Sequence, residues 1–225
     1  MSSPSQRLCR KLDLVLGQLM APNEALLTHP RRAEIYPEIL VTVRSVSRAF
    51  LPLSNVVLAR AASLADDDPV AAGVAAYLPK HIAEEGAEDL AADLEVLGWD
   101  HSEIDARPAT PTVAALVGAQ YFWALHVHPV ALLGSLQVFE GYPPTTDVVD
   151  ELVSATGLPA GAFASMYEHA DVDVRHRNEL HAALDALPLS LDHEALLGVS
   201  AFQTVHLMSR ALNEVYERDR IAHAS

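Results

Sequence analysis

Apolar residues recur at intervals of three and four along almost the whole chain, and no alternating run bounded by turn residues interrupts them. A period near 3.6 turns one face of an α-helix to a core, whereas a half-buried strand needs a period of two. Leu8, Leu12, Val15 and Leu19 share such a face, as do Leu40, Val43 and Val46 after Pro37. Further helical segments are expected over 51–64, 70–97, 112–140, 148–155, 160–187 and 191–220, with breaks at Asp66 to Pro69, Gly98, Gly141 to Pro144 and Gly157. Thr146 or Asp147 is placed to cap the helix that follows the Gly141 break. Only 10 glycines occur in 225 residues, with no Ser/Gly linker and no internal repeat. The expected fold is an all-α bundle of about seven to nine helices, forming a single domain over residues 1–225.

Charge narrows the partners. Fifteen Lys and Arg against 30 Asp and Glu give a net charge of −15, so a nucleic-acid footprint and attraction to an anionic membrane are both excluded. One cysteine, Cys9, precludes a disulfide framework or a thiolate-rich metal site. No apolar run reaches the roughly 18 residues of a membrane span, and the first residues lack the apolar core of a signal peptide. A soluble cytoplasmic protein is expected, with assembly open between monomer and homodimer. No phosphate-cradling Walker loop, dinucleotide fingerprint or His-Glu-x-x-His motif is present.

Three segments carry residues able to hold a metal ion. In Tyr167 to Arg177, His169, Asp173 and His176 stand at i, i+4 and i+7, which places them on one helical face. Two imidazoles and a carboxylate suit iron, manganese or zinc. The alternative is a solvated polar face, or a chain break at Asp171-Val-Asp-Val with Asp173 capping a new helix. His81, Glu85 and Glu88 repeat the i, i+4, i+7 spacing, with Glu84 as the next donor; the competing reading is an acidic helix surface. The third segment carries no Asp, Glu, Lys or Arg from Val113 to Phe139, the mark of a buried helix. Glu140 closes it. That carboxylate either surfaces at the helix end or points inward and needs a cation or a proton. His126 and His128 interrupt the same run, where a lone histidine is ordinarily a satisfied core residue. Arg175 and Arg177 form a small basic island, read as a solvated face or a site for a substrate carboxylate.

These segments resemble the heme-oxygenase-like diiron oxidases and oxygenases, the iron-containing redox enzymes. His169-x3-Asp173-x2-His176 matches that family's third metal segment, Glu140 its middle-helix glutamate, and His81 with Glu84-Glu85 its first segment. The likeness runs loosely from residue 30 to 218. It implies a heme-oxygenase-like bundle and a non-heme iron centre, with two iron ions held by Glu85, Glu140, His169, Asp173 and His176 and completed by Glu88 or His81. Glu88 stands where the family carries a histidine. The resemblance further implies an O2-dependent oxidase or oxygenase of specialised metabolism, acting on a small amine, amino acid or fatty acid. Tyr121, Trp123, His126, His128 and His206 are then expected to line the substrate pocket. Two other functions stay open: a metal-free enzyme of the same fold using His and Glu as acids and bases, and a metal-degenerate binding protein without catalysis.

Overall fold

The structure, a computed structural model, describes residues 2–85 and 90–224, apart from the side chain of Glu85. Among the described residues there are eleven α-helices, one short 3-10 turn and no strand. The helices are α1 (Pro4–Leu12), α2 (Gly17–Thr28), α3 (Arg32–Leu64), α4 (Pro69–Glu85), α5 (Ala91–Val96), α6 (His101–Ala106), α7 (Pro111–His126), α8 (Ala131–Glu140), α9 (Thr146–Thr156), α10 (Ala164–Ala186) and α11 (Leu191–Ala222). The all-α expectation holds. The eight expected segments become eleven helices because 8–19 breaks between α1 and α2, 70–97 carries both α4 and α5, 112–140 is α7 and α8, and the polar connection after Gly98 forms α6, capped by the Asp100 side chain on the Ser102 amide, while two segments merge in α3.

Local chemistry explains where the elements begin and end. Thr110 caps α7 through its hydroxyl on the Val113 amide, with Pro111 at the first helical position. Ser190 and His193 form a reciprocal capping box at the start of α11. Thr145, one residue before the expected cap, starts α9, and Gly157 ends it with φ +68°. Between α7 and α8, Pro129 brings no backbone donor and disfavours helix at His128. The His128 Nδ1 accepts the Val130 amide there. By contrast, Pro37 and Pro52 lie inside the single 33-residue α3, where two separate helices were expected. Packing of α3 along α4 and α7 outweighs the local proline penalty.

Helix α11 runs through the centre and packs on α8, α7, α2, α1 and α3. A side chain at Gly134 on α8 would run into the carbonyl of Leu197 on α11, so glycine is required for this approach. A buried polar network locks the same junction. Ser200 donates to the Gln120 Oε1 at 2.8 Å, Gln120 donates to Thr204 at 3.2 Å, and Ser135 pairs with Thr204 at 2.9 Å. Helix α10 lies across α8 and α4, and this three-helix crossing brings the candidate metal donors together. None of the described helices is long and apolar enough to cross a membrane.

Candidate metal centre

Glu140 ends α8, and its position follows from the Gly134 contact six residues earlier: α8 lies so close to α11 that its last turn stays inside. The carboxylate is 5% exposed, so the inward alternative is the one adopted. Its Oε1 lies 3.7 Å from Nε2 of His81 on α4. His81 is also buried, stacks on Tyr77 at 5.8 Å, and meets the His176 ring edge-on at 6.1 Å between centroids. Burial, followed by the nearby His176, pushes the His81 imidazole down to about 4.

On α10 the helix is continuous through Asp171-Val-Asp-Val, so Asp173 starts no new helix and the i, i+4, i+7 spacing is realised. Asp173 and His176 are buried, whereas the His169 side chain keeps 31% of its exposure. His169 Nδ1 lies 3.2 Å from Asp173 Oδ1, and His176 Nδ1 lies 3.8 Å from the same oxygen. His176 Nε2 sits 3.1 Å from Glu84 Oε2. Arg175 Nη2 lies 3.5 Å from the same nitrogen; a ring that donates from Nε2 to the nearer Glu84 leaves Nδ1 facing Asp173. Glu84 is itself held by Arg175 at 2.8 Å, and this hydrogen bond, against the effect of burial, keeps its carboxyl below the usual range.

The donors therefore form a chain across three helices: Glu140 and His81, then His176, Asp173 and His169. Glu84 was the secondary donor in sequence, and its link to His176 was not foreseen, nor was Arg175 as its clamp. Both depend on how α4 faces α10, which residue spacing along either helix does not reveal. Glu88 lies outside the described residues, as does the side chain of Glu85. Among the described residues, no group of three or more His, Cys, Asp or Glu closes on one point for a metal ion. The donor chemistry nevertheless fits iron. Two carboxylates (Glu140 and Asp173) and two imidazoles (His81 and His176), all buried, share an apolar interior, and this mix of oxygen and nitrogen donors is one that iron accepts. The two pairs, His81–Glu140 at 3.7 Å and His176–Asp173 at 3.8 Å, are wider than a hydrogen bond.

None of the five expected substrate-pocket residues is among those lining the cleft beside His169. His126 and His206 are exposed on the outside of α7 and α11. His128 is buried, but donates from Nε2 to Asp68 at 3.0 Å and stands 4.7 Å from the His193 ring. Asp68 also caps α4 through the Val70 and Ala71 amides. Although burial pushes the Asp68 carboxyl up, those amides and His128 hold it below the usual range. Trp123 is half-buried and bonds Gln203 at 2.7 Å, and Tyr121 is half-buried beside it on α7. What does adjoin the centre is a cleft of about 100 Å³ lined by His169, Glu168, Ser165, Asp93 and Leu90. Its floor is Asp93, whose buried carboxylate receives the Ser165 amide at the start of α10. Burial raises this carboxyl, and the Ser165 bonds offset only part of that rise.

An all-α bundle with a core of carboxylate and imidazole side chains is the class these features define. Residues 87–206, just over half of the chain, match the model of the iron-containing redox enzymes, and the chain belongs to that family. The matched span takes in Glu140, His169, Asp173 and His176, and begins after His81, Glu84 and Glu85. The fold is similar to a crystal structure from Shewanella denitrificans OS217, described as a domain of unknown function with a heme oxygenase-like fold. That likeness has a TM-score of 0.73 at 17% identity, over 98% of this chain and 94% of the other. A comparison with curated proteins gave no match.

Proposed function

We propose that this iron-containing redox enzyme is a non-heme iron oxidase or oxygenase that consumes O2 and oxidises a small amine, amino acid or fatty acid. Glu140, His169, Asp173 and His176, with Glu85 and with Glu88 or His81, would hold two iron ions. Bound iron supplies the O2 chemistry. The observation that carries this reading is the chain of buried donors, Glu140–His81–His176–Asp173, drawn from three separate helices into an interior of low exposure.

The protein's own groups have definable tasks. Glu84 orients the His176 ring and keeps its proton on Nε2, and Arg175 keeps Glu84 ionised. His81 is neutral at physiological pH, so a ring lone pair is available as a donor beside Glu140. His169, the most exposed of the set, faces the small cleft and offers an approach for a molecule the size of O2. Bulk water is excluded around Glu140, Asp173 and His176, which protects reactive species from side reactions.

The test is O2 uptake by protein loaded anaerobically with Fe(II), screened with amines, amino acids and fatty acids. Uptake that depends on both iron and one substrate class supports the proposal. Substrate turnover by chelator-treated protein would instead favour acid–base chemistry by His and Glu without a metal. Absence of both activities, with no iron bound, would leave a binding protein.

A further inference from the structure

Helix α7 belongs to a stretch with no charged residue from 113 to 139, yet one whole face of it lies in solvent. Ala114, Gly118, Phe122 and Leu125 are all exposed, Phe122 by 51%. Alongside it, α11 carries no Asp, Glu, Lys or Arg between Glu194 and Arg210, and exposes Val199 by 46% and Phe202 by 38%. The two helices are joined side by side by Trp123–Gln203 and Gln120–Ser200, so their outer faces form one neutral surface. His126, set against Phe122 at 5.2 Å, and His206 belong to this surface.

Gly118 is the informative residue. A glycine inside a helix weakens it, and at Gly134 the contact with Leu197 explains the choice. At Gly118 an added Cβ would meet nothing within 4 Å. No packing among the described residues requires the missing side chain, whereas close approach by another backbone would.

We propose that α7 and the adjoining part of α11 form the interface of a homodimer, with α7 crossing its symmetry mate near Gly118. Three observations favour a second copy over another partner. First, the face is self-complementary: Phe122 is a projecting ring and Gly118, with Ala114 one turn further, is a shallow groove on the same line, so an antiparallel pairing places each ring over the partner's glycine. Second, each copy carries −15, and a charge-free face is where two such copies can meet without juxtaposing like charges. Third, Phe122, Leu125, Val199 and Phe202 alone expose roughly 350 Å², a substantial part of the about 800 Å² that each partner hides in a standard interface.

Sedimentation velocity of the full chain over a range of concentrations tests this, with circular dichroism to verify folding. The expected species has twice the 24.3 kDa chain mass. Phe122→Glu and Gly118→Glu should each weaken self-association at least tenfold, while Leu14→Glu, at a site 83% exposed on the α1–α2 connection, should leave it unchanged. The register has its own readout. Because Cys9 is the only cysteine, a Cys9→Ser/Gly118→Cys chain mixed with a Cys9→Ser/Phe122→Cys chain should form an intermolecular disulfide on mild oxidation, since the antiparallel pairing sets position 118 opposite the partner's position 122. A wild-type chain that stays monomeric throughout, a dimer indifferent to both glutamate substitutions, or failure of the 118–122 disulfide would each overturn the proposal.

Discussion

Glu84 of α4 lies 3.1 Å from Nε2 of His176 on α10, while Arg175 grips the other carboxylate oxygen. An imidazole that binds a metal through one nitrogen commonly donates its other N–H to a carboxylate, and losing that partner typically costs 10–100-fold in affinity. Glu84→Gln is therefore expected to weaken Fe(II) binding by about one order of magnitude or more, and Arg175→Leu by less. Anaerobic titration against a chelator of known affinity checks this, and equal affinities would place His176 outside the metal site.

His81 makes the stability of the metal-free protein depend on pH. Its folded value is about 4, against 6.5 for the unfolded chain, chiefly because burial penalises the charged ring. Between these values the unfolded state binds more protons. The contribution of His81 is thus fully present above pH 6.5, falls as pH drops towards 4, and levels off below. The full loss is on the order of 3 kcal/mol. Urea denaturation at a series of pH values should show this fall, and His81→Gln should flatten it.

Glu140 is expected to trade stability for binding. A carboxylate as buried as Glu140, 3.7 Å from His81, is costly to keep ionised in an apolar interior. Glu140→Gln should leave the metal-free protein equally or more stable, by up to about 2 kcal/mol, while abolishing most iron binding. Thermal melts with and without Fe(II) measure both. A large loss of stability without metal would mean that the carboxylate serves the fold.

Gly134→Ala probes the helix contact that places Glu140. The obstructing atom is the Leu197 backbone carbonyl, which cannot rotate away as a side chain can. Overpacking of this kind costs about 1–3 kcal/mol, read as a lower urea midpoint. Unchanged stability would mean that α8 and α11 shift apart freely.

The stripe of apolar residues every three or four positions was enough to read an all-α chain, because each helix buries one side against its neighbours. Helix limits were less legible. Pro37 and Pro52 look like breaks and are absorbed within α3, whereas His128-Pro129 does break the 112–140 segment, since the ring of His128 is held by Val130 and Asp68. The uncharged run through α7 was read as buried, yet neutrality and burial are different quantities: nearly all of α8 is inside, but one face of α7 is not. On α10 the spacing of His169, Asp173 and His176 was visible because all three lie on one helix. The Glu84–His176 and His81–Glu140 pairs were not visible, since each spans two helices whose relative rotation no local pattern encodes. The same limit explains why His126 and His206, near the core in sequence, lie on the outer surface.

As proposed, Glu140, Asp173 and His176 hold iron between α4, α8 and α10. Anomalous scattering from crystals loaded anaerobically with Fe(II), recorded on both sides of the iron edge, measures this directly. An anomalous peak is expected within bonding distance of Glu140, Asp173 and His176. Density absent from that position, or found only beside His128 and Asp68, would contradict it.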